Sequence, residues 1–321
     1  MIGRSRAGSL SMGLLYLVFF RVSRVLIVVF GLVVVVFILT RTLTDPVDII
    51  LGPNSSLEQC TRINSELGFD RPLWEQFGSY IGDLLHGDFG RSLSLDRPAI
   101  DAIMERLPAS LLLAVASISI AAVVGLSLGI SGGLRPGSIL DRLTVGISSM
   151  SVAVPDFWLA LSFISIFSVQ LGWFPTGGYR GLDDLRYLVM PATTLALLPT
   201  GRLAKVVRES VIEEMAKDYI VAARSRGMRT FTIMRRHVIK NIAISTTTVI
   251  GFDFLLLFSG FGASLEVVFG WPGIGRLAIQ ATLVSDVVLV SAIVVVTGLI
   301  VGIGNLLLDL FHAVIDKRIT T

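Results

Sequence analysis

Six apolar stretches dominate what this chain can fold into: Val25–Leu43, Ala109–Ser131, Leu143–Leu171, Tyr187–Leu203, Ile242–Ala263 and Val287–Ile315. A helix needs roughly 20 consecutive apolar residues to cross the hydrocarbon of a bilayer, and most of these stretches reach that length. Hydrocarbon offers no water to backbone N–H and C=O groups, so a spanning segment must pair them internally, as a helix does. Composition agrees, since 53% of the 321 residues are hydrophobic and only 16% charged, against about 25% charged in an ordinary soluble domain. The expected fold class is an all-α integral membrane protein with about six transmembrane helices. The third and sixth stretches exceed a perpendicular span, which predicts tilt or an interfacial end. Pro155 predicts a kink in the third, because proline removes a helix hydrogen bond. Pro191 and Pro199 make the fourth the weakest span.

The loops carry the orientation. Arg4, Arg6, Arg21 and Arg24 precede the first stretch in the manner of a signal peptide. Its apolar core is long, however, and Thr40-Arg41-Thr42-Leu43 is a poor cleavage site, so an uncleaved first span is expected. With the N-terminus in the cytoplasm, the inner segments 1–24, 132–142, 201–241 and 316–321 hold 18 of the 27 basic residues. Inner loops carry the Lys/Arg excess, so both termini are expected inside. The chain then divides into 1–44 (tail and first helix), 45–106 (an extracytoplasmic subdomain), a membrane core over 107–315 and a cytoplasmic tail, 316–321. The subdomain carries eleven carboxylates and two turn signals, Gly52-Pro53-Asn54 and Gly87-Asp88-Phe89-Gly90. Its helical pieces are Ser56–Leu67, capped by Ser56 with Gln59, and Pro72–Leu85. The inner loop 202–241 reads as an amphipathic helix, then Gly227, then a second helix. Its acidic part holds Glu209, Glu213 and Glu214, and its basic part Arg224, Arg226, Arg229, Arg235 and Arg236.

No catalytic or metal-binding set stands out. The chain has no Gly-Lys pair and therefore no P-loop, and no HExxH. His312 could be imagined beside Ser149 or Ser264, but neither serine lies in a nucleophile context; His312 reads as a helix-end residue. The single cysteine, Cys60, has no disulfide partner within the chain and, with three histidines in all, supports no zinc site. Carboxylates at membrane depth are costly and face a bundle interior or water. Asp156, after the Pro155 kink, and Asp253, within the fifth span, are therefore candidates to line a solute pathway or to make interhelical bonds. Asp309, in the sixth span, reads as an interhelical bond or an end cap.

The inner loop Asp218-Tyr219-Ile220-Val221-Ala222-Ala223-Arg224-Ser225-Arg226-Gly227, followed by Arg236-His237-Val238-Ile239-Lys240-Asn241, resembles the cytoplasmic coupling loop of binding-protein-dependent importer permeases. The general family carries Glu-Ala-Ala with a Gly four residues after the last Ala. Ala222, Ala223 and Gly227 match, and Val221 replaces the Glu. The family's usual Ile-x-Leu-Pro ending is replaced by His237 to Lys240, and Arg-His-x-x-x-Asn is similar to the peptide/nickel branch. So are Gly68-Phe69-Asp70-Arg71-Pro72-Leu73, Gly87-Asp88-Phe89-Gly90-Arg91-Ser92, Arg106-Leu107-Pro108-Ala109-Ser110, Val154-Pro155-Asp156-Phe157-Trp158 and Phe269-Gly270-Trp271-Pro272-Gly273-Ile274-Gly275. Asp156 stands where Ser or Asn is commoner. The end of the chain, Asn305–Arg318, matches with Lys317 in place of Pro.

The resemblance implies a permease subunit that forms the pathway for di- or oligopeptides beside a second homologous permease, in a heterodimer. Two ATPase subunits would bind the inner loops, with ATP and Mg held by those partners and no cofactor in this chain. An extracytoplasmic binding protein would deliver solute, and no nucleic acid is implied. The coupling residues are then Tyr219, Ala222, Ala223, Arg224, Arg226, Gly227, Arg236, His237 and Asn241. Pro155, Asp156 and Asp253 would lie on the pathway. Segment 264–286 would form an extracellular scoop with Phe269, Trp271, Pro272, Gly273 and Gly275 near the gate, its aromatics at the membrane interface. Nickel or metal chelates are the alternative cargo. An ion-coupled secondary transporter is the alternative class; it would show inverted repeats, and none is visible. A receptor would have no need of a coupling loop.

Overall fold

A computed structural model describes residues 5–42 and 71–315, with side chains over 20–41 and 71–312. Cys60, the Ser56–Leu67 piece and its cap, the Gly52-Pro53-Asn54 turn, the Gly68-Phe69-Asp70 segment and the 316–321 tail lie outside the described residues.

The first helix, α1 (Ser5–Thr42), is followed by α2 (Leu73–Leu85) and a two-stranded antiparallel hairpin, β1 (Arg91–Ser92) with β2 (Arg97–Pro98). The bundle proper begins with α3 (Ala99–Leu134), α4 (Ile139–Ala153) and α5 (Asp156–Phe163), which runs on as a π-helical turn, Ile164–Gln170. Next come α6 (Arg186–Met215), α7 (Asp218–Ser225), α8 (Thr230–Ile233) and, after a π turn, α9 (Ile239–Leu256). The last three helices are α10 (Ala263–Val268), α11 (Ile274–Leu283) and α12 (Val287–Ile315).

Among the described residues, four helical segments are long and apolar enough to cross a membrane: Phe20–Arg41, Ala99–Leu134, Thr230–Phe261 and Val287–His312. The bent pair Ile139–Ala153 and Asp156–Gln170 reaches the same length and apolarity when its two helices are taken together, as a broken span or a re-entrant loop does. The long helix α6 carries Arg202, Lys205, Arg208 and Glu209 in its second half, which dilutes its apolar character. It is continuous through Pro191 and Pro199.

Several boundaries differ from the sequence expectation, and one is that α6 runs on to Met215, past Leu203, so the loop boundary at residue 202 cuts through it. The second span starts at Ala99, ten residues before Ala109, so the subdomain boundary at residue 106 cuts through α3. Ala99, Ala102 and Ile103 are fully buried against Leu277 and Ala281 of α11 and Leu289 and Ala292 of α12, which stabilises the helix beyond the apolar run. The kink at Pro155 is a full break: α4 and α5 meet at 104° across Val154 and Pro155, both extended. The fifth span begins at Thr230, not Ile242, and ends at Phe261, just after Gly260, whose φ of +95° leaves the helical region.

Packing sets the ends of the bundle. α1 and α12 are antiparallel: Arg21 pairs with Asp309 at 3.6 Å, and a side chain at Gly302 would meet Val25 at 3.1 Å. His312 accepts from or donates to Thr247 and Thr248 of α9. The start of the described α1 side chains, the end of α12 and the α7–α8 loop therefore lie at one end. The hairpin, α10 and α11 occupy the other. On α3, Gly125, Gly129 and Gly133 form one small-residue stripe that admits α6 closely. A Cβ at Gly129 would stand 2.7 Å from Val207 Cβ, and one at Gly133 2.7 Å from Val211 Cβ. This is how small residues let helix backbones approach in a membrane.

Candidate functional site

The first locus is the loop at the α1/α12 end. α7 turns off α6 at Lys217 and ends at Arg226, where the Gly227 N–H donates to Arg224 O at 2.9 Å and Met228 N–H to Ala223 O at 3.2 Å. Gly227 has φ +79°, the left-handed conformation that closes a helix and that glycine adopts without Cβ strain. Ile220 and Ala223 face inward with Ile233, Met234 and Val238, against Val207 and Val211 of α6. The other face is open: Val221, Ala222, Arg224, Ser225, Arg226, Arg229, Arg235 and Arg236 are exposed, with Phe231 76% exposed.

A buried carboxylate ties this loop to two long helices. Glu214, near the end of α6, is only 5% exposed. It accepts from Lys217 Nζ at 2.6 Å, from the Tyr219 hydroxyl and from Asn241 Nδ2 at 2.6 Å. Asn241 Nδ2 also donates to the Tyr219 hydroxyl at 2.9 Å, and the Tyr219 and His237 rings meet edge to face at 5.9 Å. α6, α7 and the start of α9 thus converge on one carboxylate. Burial pushes its carboxyl up, but the hydrogen bonds from Lys217, Tyr219 and Asn241 outweigh that and hold it below its ordinary value.

The second locus is a cavity of about 400 Å3 between α4, α5 and α6, lined among others by Pro155, Asp156, Thr194, Arg202 and Phe261. Asp156 opens α5, where the helix dipole favours a carboxylate. Its Oδ1 accepts from Phe157 N–H at 2.8 Å and its Oδ2 from Ser264 Oγ at 3.3 Å. Asp253 does not reach the cavity wall. It is 2% exposed and ion-paired with Arg202, so the fifth span tolerates it because α6 supplies a guanidinium. Of the two carboxylates expected on a pathway, Asp156 faces the cavity, and the second lining charge is Arg202.

The third locus is the re-entrant segment at the opposite end. The expectation of interfacial aromatics is corrected here: Phe269 is 1% and Trp271 0% exposed. α10 and the turn after it fold back onto Leu113 of α3 and Met190 and Leu195 of α6, so these rings become the core of the loop rather than its lipid-facing rim. Trp271 Nε1 donates to Ala109 O at 2.9 Å, and Tyr179 packs edge-on at 4.8 Å. Glu266, 6% exposed, accepts from Ser110 Oγ at 2.9 Å and from Arg276 N–H at 2.8 Å. Burial pushes its carboxyl up. A Cβ at Gly275 would stand 2.7 Å from Ala263, and one at Gly273 would run into the Glu266 carboxylate. The two glycines are thus required by close approach, while Pro272 is half-buried between Trp271 and Gly273.

Sequence reading missed Arg202, Glu266 and the pair Arg208–Asp141. Arg202 adjoining an apolar run, and Glu266 between Leu265 and Val267, are the signals that could have flagged two of them.

The model of the family described as "Binding-protein-dependent transport system inner membrane component" matches residues 121–321, and its N-terminal companion matches 14–114. A peptide transport system permease protein of Brucella abortus (strain 2308) is 36% identical over 305 residues, covering 93% of this chain and 97% of the relative. The glutathione transport system permease protein GsiC of Escherichia coli (strain K12) is 31% identical over 287 residues, covering 89% and 92%. The oligopeptide transport system permease protein AppB of Bacillus subtilis (strain 168) is 29% identical over 303 residues, covering 91% and 95%. Among solved structures, an inward-facing MetNI methionine ABC transporter chain aligns with a TM-score of 0.56 at 18% identity. It covers 68% of this chain and 98% of that one, and shows a shared fold.

Proposed function

We propose that this chain, which belongs to the family of binding-protein-dependent transport system inner membrane components, carries di- or oligopeptides through the pathway it forms with a second, homologous permease. It is a multi-pass permease subunit of an ATP-binding-cassette importer in the bacterial inner membrane. Peptide cargo follows the relatives, three of which are named for peptides or for the tripeptide glutathione.

The observation that carries the reading is the α7 loop: an open basic face on one side and a buried three-helix clasp on the other. We infer that ATP and Mg are held by two partner ATPases, and that this chain holds no nucleotide. Arg224, Arg226, Arg229 and Arg236 offer planar guanidinium groups to ATPase carboxylates, with Val221 and Phe231 as the apolar part of the contact. When the ATPases close, α7 moves with them, and Glu214, Tyr219 and Asn241 pass that motion to α6 and α9. The loop end is then cytoplasmic, and the hairpin and re-entrant end faces an extracytoplasmic solute-binding protein. Exposed apolar residues such as Leu26, Ile27 and Val28 of α1 suit lipid.

Coexpression with the ATPases, second permease and binding protein tests this. Copurification and ATP-dependent uptake of a labelled peptide into proteoliposomes are expected. Uptake that persists without the ATPases would replace the reading with an ion-coupled carrier, and uptake of nickel chelates alone would replace the cargo.

A further inference from the structure

The cavity between α4, α5 and α6 presents one carboxylate and one guanidinium to whatever enters it. Arg202 is the cation. Its side chain is 36% exposed and lines the cavity, and its hydrogen bond among the described residues is to Asp253. A guanidinium has five N–H donors in a planar fork, so one edge can hold Asp253 while the other receives a second carboxylate. Asp253 is itself buried, and its Oδ2 has no partner among the described residues. Its contact orients Arg202 without using all of the guanidinium's donors. On the same cavity wall, Asp156 spends its oxygens on one N–H and one long hydroxyl contact, which leaves lone pairs for an ammonium group. The remaining wall is mostly apolar, with Leu159, Leu195, Leu198 and Phe261. A volume of about 400 Å3 lies within the roughly 300–1,000 Å3 of ligand pockets.

We propose that Arg202, positioned by Asp253, receives the carboxylate end of a small zwitterionic solute while Asp156 faces its ammonium end. The permease pathway itself then selects for solutes with both free termini. This rests on the importer reading above and adds a specificity-determining residue to it. A permanent, fully paired site would trap its ligand; a guanidinium shared with Asp253 binds more weakly and releases.

Removing Arg202 alone would leave Asp253 buried and unpaired, which endangers folding. The test therefore uses the double variant Arg202→Gln/Asp253→Asn, together with Arg202→Lys. Uptake of dialanine and of its C-terminal amide is measured in proteoliposomes holding the whole complex. Each value is expressed relative to wild type with the same binding protein, so that discrimination by the binding protein cancels. Loss of a charge-assisted hydrogen bond is worth roughly tenfold or more. The double variant should lower relative dialanine uptake by about that factor and change relative amide uptake by less than about twofold, and Arg202→Lys should recover part of the dialanine uptake. Equal losses for both solutes would overturn the assignment of Arg202. A wild-type complex that carries neither solute would overturn the peptide-importer reading and this inference with it.

Discussion

Replacing Glu214 by alanine tests the link between the α7 loop and the long helices. The carboxylate is 5% exposed and accepts from Tyr219 and Asn241, which belong to two other elements. Hydrogen bonds to a charged group contribute roughly 1.5–3 kcal/mol each. Both donor residues are partly exposed, so the lower figure applies, giving about 3 kcal/mol for the pair. The solvated Lys217 contact is left out of the sum. At 1.4 kcal/mol per factor of ten, the population with α7 released should rise by about 100-fold. Hydrogen exchange over 218–225 reads that population directly, and the ratio of peptide taken up to ATP hydrolysed reads its consequence. Glu214→Ala should lose exchange protection in α7 by up to that factor, while hydrolysis continues and uptake falls. Tyr219→Phe removes one of the two bonds and should fall between. Unchanged exchange in Glu214→Ala would refute the clasp, whatever happened to uptake.

The remaining expectations concern single features. Beyond its chain neighbours, no atom of the described residues lies within 4 Å of a Cβ built on Gly227, so strain and not bulk decides there: Gly227→Ala should cost about 1 kcal/mol, Gly227→Asn less, and full uptake in Gly227→Trp would count heavily against the loop assignment. Because the Glu214 carboxyl sits below its ordinary 4.5, its stabilisation should be complete above that pH and be lost as pH falls through the depressed folded value, read as α7 exchange protection against pH. Trp271→Ala removes a fully buried ring and its bond to Ala109; about 3–5 kcal/mol of stability should go, and an unchanged melting temperature would refute the buried placement. In a Cys60→Ser background, cysteines placed at Leu93 should react with an impermeant reagent from outside and those at Ser225 should not; the reverse would invert the topology.

What the sequence made legible follows from what is local in it. Apolar runs depend on neighbouring residues, and the last span, Val287–Ile315, has the ends that hydropathy predicts. Gly227 was legible because a left-handed residue between two helices is a local requirement. α3 ran past its apolar run because Ala99 and Ile103 are covered by α11 and α12, far along the chain. Trp271 was misread for the same reason: an aromatic beside Pro-Gly looks interfacial until a folded-back loop packs it on Met190 and Leu195. Asp253 was found without its partner, and Asp141 and Glu266 were not found at all. Asp253 pairs across 51 residues, Asp141 across 67 and Glu266 with Ser110 across 156, and no periodicity reports such distances.

Two of those distant partners, Arg202 and Arg208, lie on one helix. α6 carries Arg202 at the cavity and Glu214 at the clasp, twelve residues apart. At 1.5 Å per residue that is about 18 Å of continuous helix. Gly125, Gly129 and Gly133 bring α3 so close to Leu203, Val207 and Val211 that α6 has little room to slide or rotate independently. Interiors packed this closely transmit displacement instead of absorbing it. A shift imposed at Glu214 therefore reaches Arg202 as a movement of the α3–α6 pair. Asp253 rides on a different helix, α9, which Asn241 ties to the same clasp. Both halves of the Arg202–Asp253 contact thus hang from the point where α7 is held, and any difference in how α6 and α9 follow α7 changes the geometry of that ion pair.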